Sequence, residues 1–153
     1  MKRVVSLLIP ALMLLMSPVV VAQGTTTTVA VAESADLGSY LTDGAGMTLY
    51  LFTKDTQGTT SSACTGQCLA TWPPAIAGAE LPKVTGVTGK VASIDTADGR
   101  RQLTLSGWPL YYIANDSAPG AVLGQGVGNV WYVLDPAGNP VKTAVGDAPG
   151  GGY

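Results

Sequence analysis

A segment rich in aromatic residues occurs twice in this chain, and the duplication restricts the folds that the chain can adopt. Residues 46–55 read GMTLYLFTKD, and residues 107–116 read GWPLYYIAND, 61 positions later. Glycine, leucine, tyrosine and aspartate keep their relative positions, and a tryptophan follows each copy. The matching side chains are Tyr50, Asp55 and Trp72 in the first copy, and Tyr111, Asp116 and Trp131 in the second. The chain is therefore expected to consist of two variants of one structural unit.

The first copy resembles a β-strand that is either buried on both faces or presents a large aromatic face as a contact surface. Strand alternation over residues 47–53 places Tyr50 and Phe52 on one face, and Leu49 and Leu51 on the other. Charged residues make up only 12% of the chain and glycine is abundant, which favours short strands and tight turns over long helices. We expect an all-β fold with one short helix near the cysteines, built from two related β-repeats that share one core.

The same patterns divide the chain into segments. Turn residues, including Asp43-Gly44 and Asp98-Gly99, separate the β-like runs. The expected strands lie within 25–32, 37–42, 47–53, 90–95, 102–105, 109–113 and 130–134, with an edge strand at 140–145. The expected organisation is a signal peptide at 1–22, a flexible lead-in and first strand at 23–36, one domain at 37–145 with repeats at about 37–80 and 90–145, and a disordered tail at 146–153.

The N-terminal segment predicts export. Lys2 and Arg3 precede an apolar run over residues 4–16, and Val20-Val21-Ala22 offers small residues for signal peptidase. Neither a basic stop-transfer cluster nor a lipidation cysteine follows, so we expect cleavage without stable membrane insertion. The predicted location is the periplasm or the extracellular space.

Charge and residue types exclude several classes of function. Without residues 1–22 the chain has six basic and ten acidic residues and no basic block, which argues against nucleic-acid binding. The chain contains no histidine, so serine–histidine and cysteine–histidine catalysis are excluded. We therefore assign no catalytic residue, metal ligand or cofactor, and we favour a non-enzymatic protein.

Cys64 and Cys68 are the only cysteines. In an exported protein the expected state is a disulfide, which would fix local shape. The alternative is a Cu(I) site that uses both sulfurs, with Met47 as a third ligand.

The paired tyrosines and aspartates are the first candidates for a binding site. Each phenol could lie beside the carboxylate of its own copy and bind a polar ligand or a cation. In the structural alternative, which we favour, the tyrosine packs in the core and the aspartate caps the turn after the strand. The same choice, between an exposed aromatic platform and core packing, applies to Trp72, Trp108 and Trp131.

Several motifs in order resemble a bacterial secreted-repeat family of unknown function, described as predicted lipoproteins with a Tyr-x-aromatic-x-x-Asp motif. Residues 50–55 match that motif, and 64–68 (CTGQC) and 72–74 (WPP) are similar to the block that follows it. The second copy departs from the motif at Ile113, where an aromatic residue is expected. The resemblance implies no activity.

Together these observations predict an exported, non-enzymatic binding or envelope-associated module whose partner is an envelope component or a small molecule. The alternative is a periplasmic redox or copper-handling protein that uses Cys64 and Cys68.

Overall fold

A computed structural model of the chain describes residues 28–143. The expected signal peptide at 1–22 and tail at 146–153 lie outside the described residues. Short strands dominate, with one short helix beside the cysteines, which confirms the expected fold class. The strands and the α-helix are β1 (Thr28–Ser34), β2 (Gly38–Asp43), β3 (Tyr50–Phe52), α1 (Gln67–Thr71), β4 (Lys83–Val84), β5 (Val91–Asp95), β6 (Arg101–Leu105), β7 (Trp108–Pro109) and β8 (Trp131–Val133). One turn of 3-10 helix at Val127–Asn129 precedes β8. Across residues 28–143, no helix is both long and apolar enough to cross a membrane.

The strands form three small sheets, ordered β2-β1-β4, β3-β8 and β5-β6-β7. Each repeat begins with an antiparallel hairpin, β1–β2 in the first and β5–β6 in the second, and continues into its tyrosine segment. The second hairpin turns at Asp98-Gly99 as predicted, where Gly99 has φ of 80° and closes the turn with little steric cost. β4 pairs parallel to β1 and was not predicted, because two residues carry no periodicity.

The two tyrosine segments are less regular than predicted. β3 covers only Tyr50–Phe52 of the expected 47–53, and the expected strand at 109–113 is reduced to β7 and a single bridge at Tyr111. Tyr111 is bridged on one side to Tyr50 and on the other to Pro74. Pro73 and Pro74 lack amide hydrogens, so they cannot donate the bonds that would extend the second bridge into a longer ladder. The edge strand expected at 140–145 is likewise one bridge, between Leu134 and Pro140.

Side chains on the two faces of these segments pack into two separate clusters, and both repeats contribute to each. Leu49 and Leu51 lie in one and Tyr50 and Phe52 in the other, as strand alternation predicted. The leucine cluster comprises Val29, Leu41, Leu49, Leu51, Ala75, Ala77, Leu103, Leu105, Leu110 and Leu134. The aromatic cluster comprises Leu37, Tyr40, Tyr50, Cys64, Trp72, Tyr111, Ile113, Trp131 and Val133. The two repeats therefore share their interior.

Candidate functional site

The phenols and carboxylates of the two copies are hydrogen-bonded across the copies. The Tyr50 hydroxyl donates to Asp116 Oδ2 at 2.6 Å, and the Tyr111 hydroxyl donates to Asp55 Oδ2 at 2.7 Å. All four side chains are buried. In the functional alternative each tyrosine would lie beside the aspartate of its own copy. The structure contains phenol–carboxylate pairs, but their partners are exchanged between the repeats.

The backbone explains the exchange. The amide of Tyr50 donates to the carbonyl of Tyr111 at 2.8 Å, and the amide of Tyr111 donates to the carbonyl of Tyr50 at 2.9 Å. Two residues that exchange both bonds form an antiparallel pair, with their side chains on the same face. An antiparallel pair has local two-fold symmetry, and the two phenol–carboxylate bonds follow it, because each tyrosine donates to the aspartate of the other repeat.

The second oxygen of each carboxylate holds the loop that follows its motif. Asp55 Oδ1 accepts the amide hydrogen of Ala63 at 2.6 Å, and Asp116 Oδ1 accepts that of Leu123 at 3.0 Å. Each aspartate thus joins a tyrosine of the opposite repeat to a loop of its own repeat. Both oxygens of each carboxylate are therefore engaged in hydrogen bonds within the protein.

Burial raises the pKa of three of these side chains, Asp55, Tyr50 and Tyr111. It raises the pKa of Asp55, and the hydrogen bonds from Ala63 and Tyr111 act in the opposite direction. Burial also raises the pKa of Tyr50, and the bond to Asp116 raises it further. For Tyr111, burial raises the pKa against a lowering contribution from Ser62. Both phenols consequently remain protonated hydrogen-bond donors at neutral pH, and neither provides a phenolate nucleophile.

An aromatic stack fills the space between the two phenols. Trp72 and Trp131 lie parallel with ring centroids 3.8 Å apart, and Phe52 stacks on Trp131 at 4.2 Å. The two tyrosines meet the stack edge-on, Tyr111 against Trp131 at 5.1 Å and Tyr50 against Trp72 at 5.7 Å. Edge-to-face and offset-stacked contacts are favoured arrangements for such rings. The stack is therefore the centre of the aromatic cluster.

The tryptophans do not form a surface for ligands. Trp72 and Trp131 are 5% and 4% exposed. Trp108 begins β7, is half-buried, and packs against the leucine cluster rather than the aromatic one. Within residues 28–143, the three tryptophans consequently provide no exposed aromatic platform.

The loop after Asp55 contains the predicted disulfide. Cys64 and Cys68 are bonded, with their Cα atoms 5.4 Å apart. The Ser62 hydroxyl accepts the amide hydrogen of Cys64 at 3.0 Å and lies 2.5 Å from the hydroxyl of Tyr111. Neither cysteine is a free thiol, and the described residues contain no cluster of three metal-ligating side chains. The oxidised protein therefore has no thiolate for Cu(I).

A cleft of about 300 Å³ opens between this disulfide loop and the tip of the β5–β6 hairpin. We call it the disulfide-loop cleft. Its lining combines apolar surface with polar groups, and includes Cys64, Leu69, Pro74, Asp95, Thr96 and Gln102. The volume is at the small end of the range for small-molecule sites.

The hairpin wall of the cleft is held in shape by Asp98. Its Oδ1 accepts the Thr96 hydroxyl at 2.5 Å, and its Oδ2 accepts Arg100 Nε at 2.8 Å. The bonds from Arg100 and then from Thr96 lower the pKa of Asp98, so this carboxylate is ionised at neutral pH. These bonds link residues 96, 98 and 100 at the tip of the hairpin.

Comparison with known proteins agrees with the duplication. A family model described as a secreted repeat of unknown function matches the chain twice, at residues 31–76 and 92–135, which together are more than half of it. The chain belongs to this family. The secreted-repeat description also agrees with the predicted export. No curated protein and no solved structure matches the chain.

The two secreted repeats of this chain differ mainly in their loops. After Asp55, the loop carries the disulfide and one wall of the cleft. After Asp116, the loop is glycine-rich and brings Gly124 against the aromatic cluster. The strand residue also differs, because Phe52 joins the stack whereas Ile113 adds an aliphatic side chain to the same cluster.

Three residues of this region were missed by sequence reasoning. Ser62 bonds Tyr111, and the buried Gln102 donates to the carbonyl of Leu110 at 2.9 Å, but single polar residues in a loop and a strand give no pattern. Gly124 lies in a glycine-rich loop, where the sequence does not distinguish one glycine from the next. A Cβ there would lie 2.7 Å from Tyr50 Cε1 and 2.9 Å from Trp72 Cη2, so the position requires glycine.

Proposed function

We propose that this exported secreted-repeat protein is a non-enzymatic binding module of the cell envelope, and that it binds its ligand in the disulfide-loop cleft. The observation that carries the proposal is the contrast between the two post-motif loops, of which the first forms a wall of the cleft. The residues common to both repeats hold the fold together, and the two repeats differ in the loops that follow the motif.

The burial of the repeated polar groups supports a non-enzymatic role. A general acid or base must come within hydrogen-bond distance of the substrate. Asp55 and Asp116 are 5% and 8% exposed, and each carboxylate already accepts two hydrogen bonds from the protein. Presenting either one to a substrate would break the contacts that join the repeats.

The rigidity of the cleft supports a binding role. Asp55 and Tyr111 fix the disulfide loop at Ala63 and Ser62, while Asp98 fixes the opposite wall. A site that is ordered before binding loses less conformational entropy when the ligand arrives. The cleft is therefore a concave surface whose walls need little rearrangement to bind a ligand.

A ligand screen tests the proposal on protein purified from the envelope of an expressing bacterium. Amide chemical shifts of the 15N-labelled chain are recorded against a library of neutral, cationic and anionic small molecules. We expect hits that shift the amides of Thr65 and Ala97, at the cleft, and lose affinity in Leu69→Ser. Leu123→Ser removes an exposed leucine of the second repeat and is the matched control, with unchanged binding. Hits that bind elsewhere, or no hits at all, would refute the proposal.

Thiol titration separates this proposal from the redox or copper alternative. We expect no reactive thiol in the native protein and two after reduction, because Cys64 and Cys68 are bonded to each other and Cys64 is buried. Fast-reacting thiols in the purified protein, or Cu(I) retained through gel filtration, would instead favour the alternative.

A further inference from the structure

The disulfide-loop cleft has an apolar side. Leu69 is 37% exposed although it is a large apolar side chain, and it lines the cleft together with Pro74 and Cys64, which is bonded to Cys68. An apolar ligand group placed against these atoms would remove their surface and its own from water, which contributes about 25 cal/mol for each Å² buried. This side of the cleft fits an uncharged part of a ligand.

The charges at the cleft favour a cation over an anion. The lining contains Asp95, Asp98 and Arg100, of which the last two form an ion pair at 2.7 Å. Arg101 lies opposite Asp95 in the β5–β6 register, but its guanidinium donates to the carbonyl of Ala79 at 2.7 Å. Arg101 keeps its positive charge, but among the described residues it forms no ion pair with Asp95, and the three charged residues of the lining sum to −1.

Other ligand classes fit the lining less well. The only cation of the lining is Arg100, and it is paired, so nothing is arranged to bind a phosphate or carboxylate. None of the lining residues is aromatic, so the stacking surface that a sugar ring would use is missing. The described residues also contain no cluster of three metal-ligating side chains.

We infer that the disulfide-loop cleft binds a small organic monocation with an apolar body, such as an arylalkylammonium ion. Asp95 pairs with the ammonium group, and Leu69 and Pro74 contact the apolar body. The inference rests on the proposed binding function, because it names the ligand class of the same cleft.

Three probes of nearly equal shape test the ligand class: benzylammonium, benzyl alcohol and benzoate. Each is titrated into the 15N-labelled full-length exported protein at low ionic strength, and dissociation constants are taken from the amide shifts of Thr65 and Ala97. We expect benzylammonium to bind most tightly and benzoate most weakly. Asp95→Asn should weaken benzylammonium about two- to five-fold, the usual effect of one exposed ion pair, and leave benzyl alcohol unchanged.

A matched variant controls for net charge. Asp36→Asn removes an exposed carboxylate from the β1–β2 turn, outside the cleft, and should leave all three affinities unchanged. Equal binding of the amine and the alcohol, or no response to Asp95→Asn, would overturn the cationic ligand class while the library hits at the cleft still support the binding module. Failure of every library compound and every probe to shift the cleft amides would overturn both.

Discussion

Removing the Tyr50 hydroxyl measures how strongly the two repeats are joined. Tyr50→Phe keeps the ring against Trp72 but deletes the donor to Asp116 Oδ2. It also deletes the acceptor of the Gly124 amide hydrogen, 3.2 Å away. A hydrogen bond to a charged group contributes about 1.5–3 kcal/mol, and a buried partner left without a bond adds to the cost. We expect the free energy of unfolding to fall by about 3 kcal/mol.

A double-mutant cycle identifies the partner of this hydroxyl. Tyr50→Phe removes the donor of the bond, and Asp116→Asn removes the charge and one of the two oxygens that accept from Tyr50 and Leu123. Both changes act on one bond, so their effects on the free energy of unfolding should be non-additive by about 1–3 kcal/mol. Tyr50→Phe and Asp55→Asn affect different phenol–carboxylate bonds, so their effects should add to within about 0.5 kcal/mol. The second cycle is the matched control, because it combines the same tyrosine with the aspartate of its own repeat.

Urea unfolding followed by far-ultraviolet circular dichroism is the appropriate assay, since tryptophan fluorescence would respond directly to changes in the stack. The comparison requires equal denaturant slopes for all variants, which indicates that the unfolding reaction is unchanged. Strong coupling between Tyr50 and Asp55, with none between Tyr50 and Asp116, would refute the exchanged pairing.

Three further predictions concern the same scaffold. Burial raises the pKa of Asp55, so the stability contributed by its protonated form is complete below pH 3.8 and is lost as the pH rises through the folded-state pKa. Wild type should therefore lose stability relative to Asp55→Asn as the pH is raised from 3.8 towards neutrality, measured by urea unfolding. Gly124→Ala should destabilise by about 2–3 kcal/mol through the clash of its Cβ, whereas Gly78→Ala, whose Cβ meets only one carbonyl at 3.8 Å, should change stability by less than about 0.5 kcal/mol, measured in the same way. Replacing Cys64 and Cys68 together by serine should cost about 2 kcal/mol, because the disulfide closes a short loop, and a thermal midpoint equal to that of wild type would contradict this.

Local pattern was sufficient for the strand faces and the disulfide. Leu49, Tyr50, Leu51 and Phe52 alternate with a period of two, which correctly predicted that the two leucines share one face and the two aromatic residues the other. The two cysteines were expected to pair in an exported protein, and they do. The strand faces follow from a few neighbouring residues, whereas the disulfide prediction also used the N-terminal segment that predicts export.

The exchanged pairing could not be predicted because the duplication itself hides it. Tyr50 has the same separation from Asp55 as Tyr111 has from Asp116, so the sequence is equally compatible with pairs inside a repeat and pairs between repeats. The choice is made by the backbone bonds between Tyr50 and Tyr111, which join residues 61 positions apart. The cleft was not predicted either, because its two walls come from different repeats and meet only in the folded chain.

The exchange also explains why this unit occurs as a pair. In one repeat alone, Tyr50 would lose its carboxylate partner and Asp55 its phenol, and Trp72 would lose the stacking face of Trp131. Unpaired buried polar groups cost about 1–3 kcal/mol each, which is a large part of the stability of a domain of this size. Selection for folding therefore acts on contacts that both repeats must keep. The same contacts hold the loop between Asp55 and Trp72 in place, so the loop residues that do not take part in them are available for binding.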